Sequence, residues 1–305
     1  MLVNFAAHAY TAGLKLSHWP ADSISGDFPY YMEEVINEAG ANFIFFNGAV
    51  NGIYPQRQSV PDRDDDGDAW WADYSKTLDW HVRRMGRDFA SVALAMTMQP
   101  EDIAGNELTN PDNDHSYQYR RIITIMQNKG TVQETELPPQ LAVRLQEMQI
   151  DIENPFVRWA AKRGMMNYTL LRDGKRLALA TEIGYAQLGG AVTIALLPGE
   201  FIPGLAWGGG ATLAENTLRM RDFAYPTFSE SAGRDVLVFG LCNDEVGYVI
   251  PDNDYITFHN PFNNLNYKLL GAWEYEHYQE LLSPGPRTAG ATAQAFAELV
   301  RQDLP

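Results

Sequence analysis

The chain has 305 residues, 45% hydrophobic and 20% charged, a composition that excludes collagen, a long coiled coil and global disorder. Its 39 acidic residues against 23 basic ones give a net charge of -16, which repels phosphate backbones and anionic lipid surfaces and so argues against nucleic-acid and membrane-surface partners. Cys242, alone of its type, excludes an internal disulfide framework, and the most apolar stretch, residues 191–211, is interrupted by Pro198, Glu200 and Pro203 and so cannot form a membrane-spanning helix.

The amino-terminal MLVNFAAHAYTAGL has no basic residue ahead of its apolar run and alternates as a strand does, so it does not read as a signal peptide. Either the protein is cytoplasmic or the chain begins inside a longer one. Residues 2–7 are predicted as a strand, 28–39 (FPYYMEEVINEA) as a helix stopped by Gly40, and 42–46 as a short buried strand. Residues 53–68 hold Pro55, Pro61 and an acidic run and read as a loop. An amphipathic helix over 71–89 leads to a strand over 92–98, so the order begins β-α-β-α-β. Residues 104–116 are polar and turn-rich, 119–126 strand-like and 139–147 helical, which reads as an insertion rather than a second domain.

Further on, 176–181, 184–187 and 191–197 read as successive strands, with Gly189-Gly190 as a tight hairpin turn. A helix over 211–223, a strand over 235–241, an irregular stretch to 266 and helices over 267–282 and 288–301 complete the chain. No internal repeat of fixed period is visible. Helices and strands mixed along the whole length predict one layered domain, α/β or mixed α+β.

Three segments share a form in which an apolar strand runs into a turn with a ligand-type residue at its end. They are NFAAHA around His8, ALLPGEF around Glu200, and VFGLCNDEVGYV, which carries Asn243 to Tyr248. Strand ends are where rigid elements hand residues to a site, and Gly199 before Glu200 lets the backbone bend without a Cβ clash. On spacing alone the simpler reading makes His8 a hydrogen-bonded core histidine and Glu200 a turn carboxylate.

Five segments in register, LVNFAAHA, SGDFPYYMEEVINEAGANFIFFNGAVNGIYPQ, AVTIALLPGEFIPGLA, GLCNDEVGYVIP and YEHYQELLSPGPRTA, resemble the catalytic domain of neutral/alkaline non-lysosomal ceramidases from His8 to about Ala289. The resemblance implies a layered sheet-and-helix sandwich and a zinc-dependent hydrolase that cleaves the linear N-acyl amide of a ceramide-like lipid to a sphingoid base and a fatty acid. It implies zinc ligands at His8, Glu200 in the Pro-Gly-Glu turn and Tyr248 in the Gly-Tyr-Val step, with Tyr278 near the metal as a donor to the oxyanion. The family's first histidine has no match, and His18, His81, His115, His259 and His277 lie in no equivalent context. The resemblance thus implies a single catalytic domain over residues 1–305 that lacks the family's N-terminal portion and its C-terminal immunoglobulin-like domain. It also implies a secreted or periplasmic setting.

That ligand set suits the chemistry. Zinc takes imidazole and carboxylate, and less often phenolate, and at a catalytic site it lowers the pKa of bound water to about 7. Two departures bear on the substrate. The family's Gly-Asp-Val-Ser-Pro-Asn stretch reads here as Asn51-Gly52-Ile53-Tyr54-Pro55-Gln56, with Tyr54 in place of the serine, and residues 251–267 look like additional loop. Alternatives are therefore a related zinc hydrolase acting on another N-acyl or ester compound, and a non-catalytic binding module with an incomplete metal shell.

Apart from the resemblance, Asp62, Asp64 and Asp66 with Gly67 and then Asp73 copy part of a calcium loop. Pro61 and Ala69 depart from that pattern, and a solvated acidic loop is the commoner reading. Gly208-Gly209-Gly210 lacks the spacing and lysine of a phosphate cradle, and Trp70-Trp71 beside Tyr74 reads as core before it reads as a sugar platform.

Overall fold

The structure, a computed structural model, describes residues 1–9, 26–51, 74–97, 136–208, 224–252, 255 and 278–302. The architecture is mixed α/β, with several sheets and interspersed helices. The chain divides into two units, residues 1–46 with 54–136, and residues 47–53 with 137–305.

In the first unit, β1 (Leu2–Phe5) is hydrogen-bonded to β2 (Ile44–Asn47), and α1 (Asp27–Glu38) packs against α2 (Tyr74–Ala95). The helical spacing in 28–39 explains α1: Phe28, Met32 and Ile36 recur every four residues, and all three are buried against Met85, Ala90 and Leu94 of α2. Phe28 meets Phe5, Phe45 and Phe89 edge to face at centroid distances of 6.3, 5.7 and 5.3 Å. Two expectations are corrected here. β2 is not buried, with Ile44 53% exposed, because a two-stranded ribbon leaves one face uncovered. Of the strand expected over 92–98, residues 92–95 are instead the last turn of α2, since the apolar periodicity of Met85, Ala90 and Leu94 carries the helix on until Thr97 Oγ1 donates to the Leu94 carbonyl at 2.7 Å.

The second unit is built on a sheet whose strand order is β3-β5-β6-β8. β3 (Leu141–Asp151) runs antiparallel to β5 (Arg176–Leu188) over its full length. On the other edge of β5 lie β4 (Thr169–Asp173), along its first half, and β6 (Val192–Leu196), along its second. β8 (Val236–Phe239) runs parallel to β6. The hairpin expected at Gly189-Gly190 is present, with φ of 56° and 68° at the two glycines. The two strands expected at 176–181 and 184–187 are one continuous strand.

The helix expected over 139–147 is a correction: the segment is β3. Leu141, Val143 and Leu145 alternate on one face and Met148 and Ile150 on the other, and that period of two satisfies eleven consecutive pairings with β5. A helix not foreseen, α3 (Pro155–Lys162), starts at Asn154, whose Oδ1 accepts from the backbone N–H of Phe156 and Val157 at 2.9 and 3.3 Å. Short helices α4 (Gly204–Trp207), α5 (Phe228–Ala232) and α6 (Tyr278–Leu282) precede α7 (Thr288–Arg301), which matches expectation. The core of this unit joins Ile150, Leu179, Ile183 and Val238 of the sheet to Val157 of α3, Phe228 of α5 and Phe296 of α7. The elements expected at 53–68, 104–116, 119–126 and 211–223 lie outside the described residues, as does the part of the helix expected over 267–282 that precedes α6.

Candidate functional site

The parallel strands β6 and β8 end side by side at Leu196 and Phe239, and the chains that leave them are laced together by backbone hydrogen bonds. Leu197 donates to Phe239 at 3.0 Å, Leu241 to Gly199 at 3.1 Å and Cys242 to Leu197 at 2.9 Å. The second of these chains turns sharply through two non-glycine residues at positive φ, Leu241 at 56° and Asn243 at 68°. Both then form a two-residue parallel ribbon, β7 (Glu200–Phe201) with β9 (Tyr248–Val249).

Two glycines make that ribbon attainable. Gly199 has φ of 143° and Gly247 of 95°, and a Cβ at Gly199 would lie 2.7 Å from the Gly247 carbonyl oxygen, while one at Gly247 would lie 2.1 Å from that of Leu282. Glu200 N–H donates to the Gly247 carbonyl at 3.1 Å, so glycine and carboxylate are fixed by the same contact. Glu200 and Tyr248 are register partners, so their side chains leave one face of adjacent strands about 4.8 Å apart. Both residues are half-buried, and Glu200 Oε2 is withdrawn from solvent.

The surrounding loop is tied down on each side. Thr181 Oγ1 of β5 donates to Asp244 Oδ2 at 2.9 Å, and Gly247 N–H donates to Glu245 Oε1 at 2.7 Å. The Tyr168 hydroxyl donates to the Val246 carbonyl at 3.1 Å; burial, assisted by the negative charges of Glu245 and Asp244, pushes its pKa up to about 12. Burial also pushes the Cys242 thiol up, which keeps it protonated and argues against a nucleophilic role.

A further segment borders the ribbon. Gly240 N–H donates to the Asn47 carbonyl at 2.9 Å, and Asn51 N–H donates to the Phe201 carbonyl at 3.2 Å, so residues 47–51 lie against the ends of β7 and β8. A Cβ on Gly240 would lie 2.6 Å from the Gly48 oxygen, which shows how closely the backbones meet. Asn51 is 1% exposed, and among the described residues neither its Nδ2 nor its Oδ1 has a hydrogen-bond partner. Sequence reasoning reached this stretch only through Tyr54 and passed over Asn51. Its signal was an amide at the end of the otherwise apolar FFNGAVN.

Of the sequence-predicted site residues, the structure thus brings Glu200 and Tyr248 together. His8 follows β1 in the first unit, half-buried, with Nε2 withdrawn from solvent. Tyr278 is the first residue of α6, and its side chain lies outside the described residues, as do Asp62, Asp64, Asp66, Asp73 and Tyr54. A carboxylate and a phenol oxygen on one strand face suit two positions around zinc. Among the described residues no group of three or more histidine, cysteine, aspartate or glutamate side chains could hold a metal ion, and no helix is long and apolar enough to cross a membrane.

No family model and no curated protein matches the sequence. A solved structure described as "Ceramidase complexed with C2" is similar with a TM-score of 0.48 at 14% identity, over 100% of this chain and 46% of that one. This chain therefore spans less than half the length of that protein, and a likeness of this size carries no weight for the chemistry.

Proposed function

We propose that the β7–β9 ribbon is the centre of a zinc-dependent hydrolase that cleaves a linear N-acyl amide, with a ceramide-like lipid as the substrate. The observation that carries this reading is the register of Glu200 opposite Tyr248, because it sets two oxygen donors side by side at the ends of strands that hold them rigidly. Glu200 and Tyr248 would hold the metal. Bound there, zinc supplies Lewis acidity and a water acidic enough to act near neutral pH. The glycines at 199 and 247 fix the donor spacing, and the Thr181–Asp244 and Tyr168–Val246 hydrogen bonds hold the loop that carries Tyr248. Tyr278 is the candidate donor to the oxyanion that develops on the acyl carbonyl.

The test is metal content of the purified chain by elemental analysis, together with hydrolysis of a panel of N-acyl lipids, N-acyl ethanolamines and matched esters. About one zinc per chain and release of free amine are expected. Glu200→Gln should lower turnover by about a thousandfold while the thermal midpoint holds, and retained turnover overturns the role of Glu200. His8→Ala tests the third ligand that the sequence resemblance implies. Cleavage of esters alone would move the reading to the related hydrolase. Absence of zinc and of turnover in a folded chain would favour a binding module.

A further inference from the structure

We infer that Asn51 is a substrate-contacting residue of this site, its side-chain amide engaging both oxygens that hydrolysis places on the acyl carbon. The inference rests on the N-acyl hydrolase reading and deepens it. A buried amide with nothing to bond is destabilising, so a chain keeps one where something outside the fold satisfies it. Both ends of the Asn51 amide are in this state, in a residue 1% exposed. Asn47 Oδ1, four residues earlier in the same stretch, is likewise buried with no hydrogen-bond partner among the described residues. The backbone bond from Asn51 N–H to the Phe201 carbonyl places the residue beside the strand that begins at Glu200.

The unsatisfied pair specifies its ligand. An N–H donor and a carbonyl acceptor side by side on one amide are matched by a group that presents an acceptor and a donor together. A trans secondary amide does not, since its C=O and N–H point in opposite directions. The tetrahedral adduct does. When water adds through its oxygen to the acyl carbon, the carbonyl π pair moves onto oxygen, and the carbon then bears an oxyanion and a hydroxyl. The oxyanion accepts from Asn51 Nδ2–H and the hydroxyl donates to Oδ1. The proton lost from water ends on nitrogen as the C–N bond breaks with its electron pair, so amide and water give carboxylic acid and amine with no redox change. An interaction that becomes complete only in the adduct raises kcat and leaves KM little changed.

The test uses the full chain with Asn51→Leu, which keeps the volume, and Asn51→Ala. Hydrolysis of N-octanoylethanolamine is measured alongside binding of octylboronic acid, whose tetrahedral form carries the same arrangement of oxygens. The expected result is a fall in kcat of about a hundredfold or more, KM within about threefold, boronate binding weakened by at least tenfold, and a thermal midpoint equal to or above that of the parent. Unchanged kcat overturns the inference. So does a lower thermal midpoint in both variants, because it would mean that the amide supports the fold. If the parent hydrolyses no amide, the functional reading fails, and boronate binding decides Asn51 separately: binding that depends on Asn51 keeps the residue as a ligand contact, and equal or absent binding removes it.

Discussion

The β5–β6 hairpin and the β7–β9 ribbon belong to the same unit and are held by different forces. The hairpin lies in a sheet covered by α3, α5 and α7, and side-chain burial around Ile183, Val238 and Phe296 dominates its stability. The ribbon has two residues on each strand and depends on backbone hydrogen bonds and on glycines where a Cβ would collide with a carbonyl. Burial is spread over many atoms and tolerates conservative repacking, whereas a glycine whose added Cβ would lie 2.7 Å from a carbonyl oxygen tolerates no side chain. Stability is thus diffuse in the sheet and local in the ribbon. A site needing two donors at fixed spacing is better served by the second kind of construction.

The largest expected effect breaks the first side of this contrast. Phe296 is fully buried on α7, edge to face with Phe228 at 5.0 Å, so Phe296→Ala should cost about 4 kcal/mol in chemical denaturation. Turnover per folded molecule should stay near the parent value. Next is Gly247→Ala, which adds a methyl where 2.1 Å separates it from the Leu282 oxygen, at a φ of 95°. Strain and overlap together should cost about 3 kcal/mol, and under the proposed function the folded molecules should lose both zinc and turnover. If the two variants lose activity per folded molecule equally, the distinction between diffuse and local support is wrong.

The same contrast accounts for what could be read from the sequence. The hairpin was legible because Gly189-Gly190 sits between alternating apolar runs, and both signals are local. β3 was not, because Leu141 to Glu147 is rich in good helix formers, and only the eleven pairings with β5 override that preference. The C-terminal end of α2 and the existence of α3 were decided by packing and by one cap at Asn154. Glu200 and Tyr248 each stood out as ligand types at strand ends. Their adjacency did not, because it arises from the parallel pairing of β6 with β8 across about forty intervening residues, which no local pattern encodes. Asn51 showed in the sequence only as an amide closing an apolar stretch, since its unsatisfied state is a property of the packed chain.

Asn154 joins the two regions. Its Oδ1 caps α3, while its Nδ2 donates to the carbonyls of Glu280 and Ser283 at 2.8 and 2.9 Å, flanking the Leu282 carbonyl against which Gly247 packs. Asn154→Ala removes the cap and strands buried carbonyls, for about 2 kcal/mol. It should also loosen the backing of the ribbon, so turnover should fall further than in a sheet variant of equal stability. Matched stability with matched turnover would show that the support ends at α6.

The smallest effect comes from the Tyr168 hydroxyl, which reaches from the residue before β4 to the Val246 carbonyl next to the ribbon. Tyr168→Phe deletes one hydrogen bond and should cost about 1 kcal/mol. Its sharper signature lies in alkali. The folded pKa of Tyr168 is raised to about 12 from the ordinary 10.0, so the native state holds its proton more tightly than the unfolded chain does. The contribution from this group is fully present below pH 10 and is lost as the pH rises toward 12. Tyr225 and Tyr255, whose pKa values burial also raises, contribute to the same alkaline limb. Tyr168→Phe should therefore flatten the fall in stability between pH 10 and 12 without abolishing it, as read by denaturant titration at stepped pH. An unaltered alkaline limb in the variant would show that this hydroxyl does not tie the loop of the ribbon to the body of the sheet.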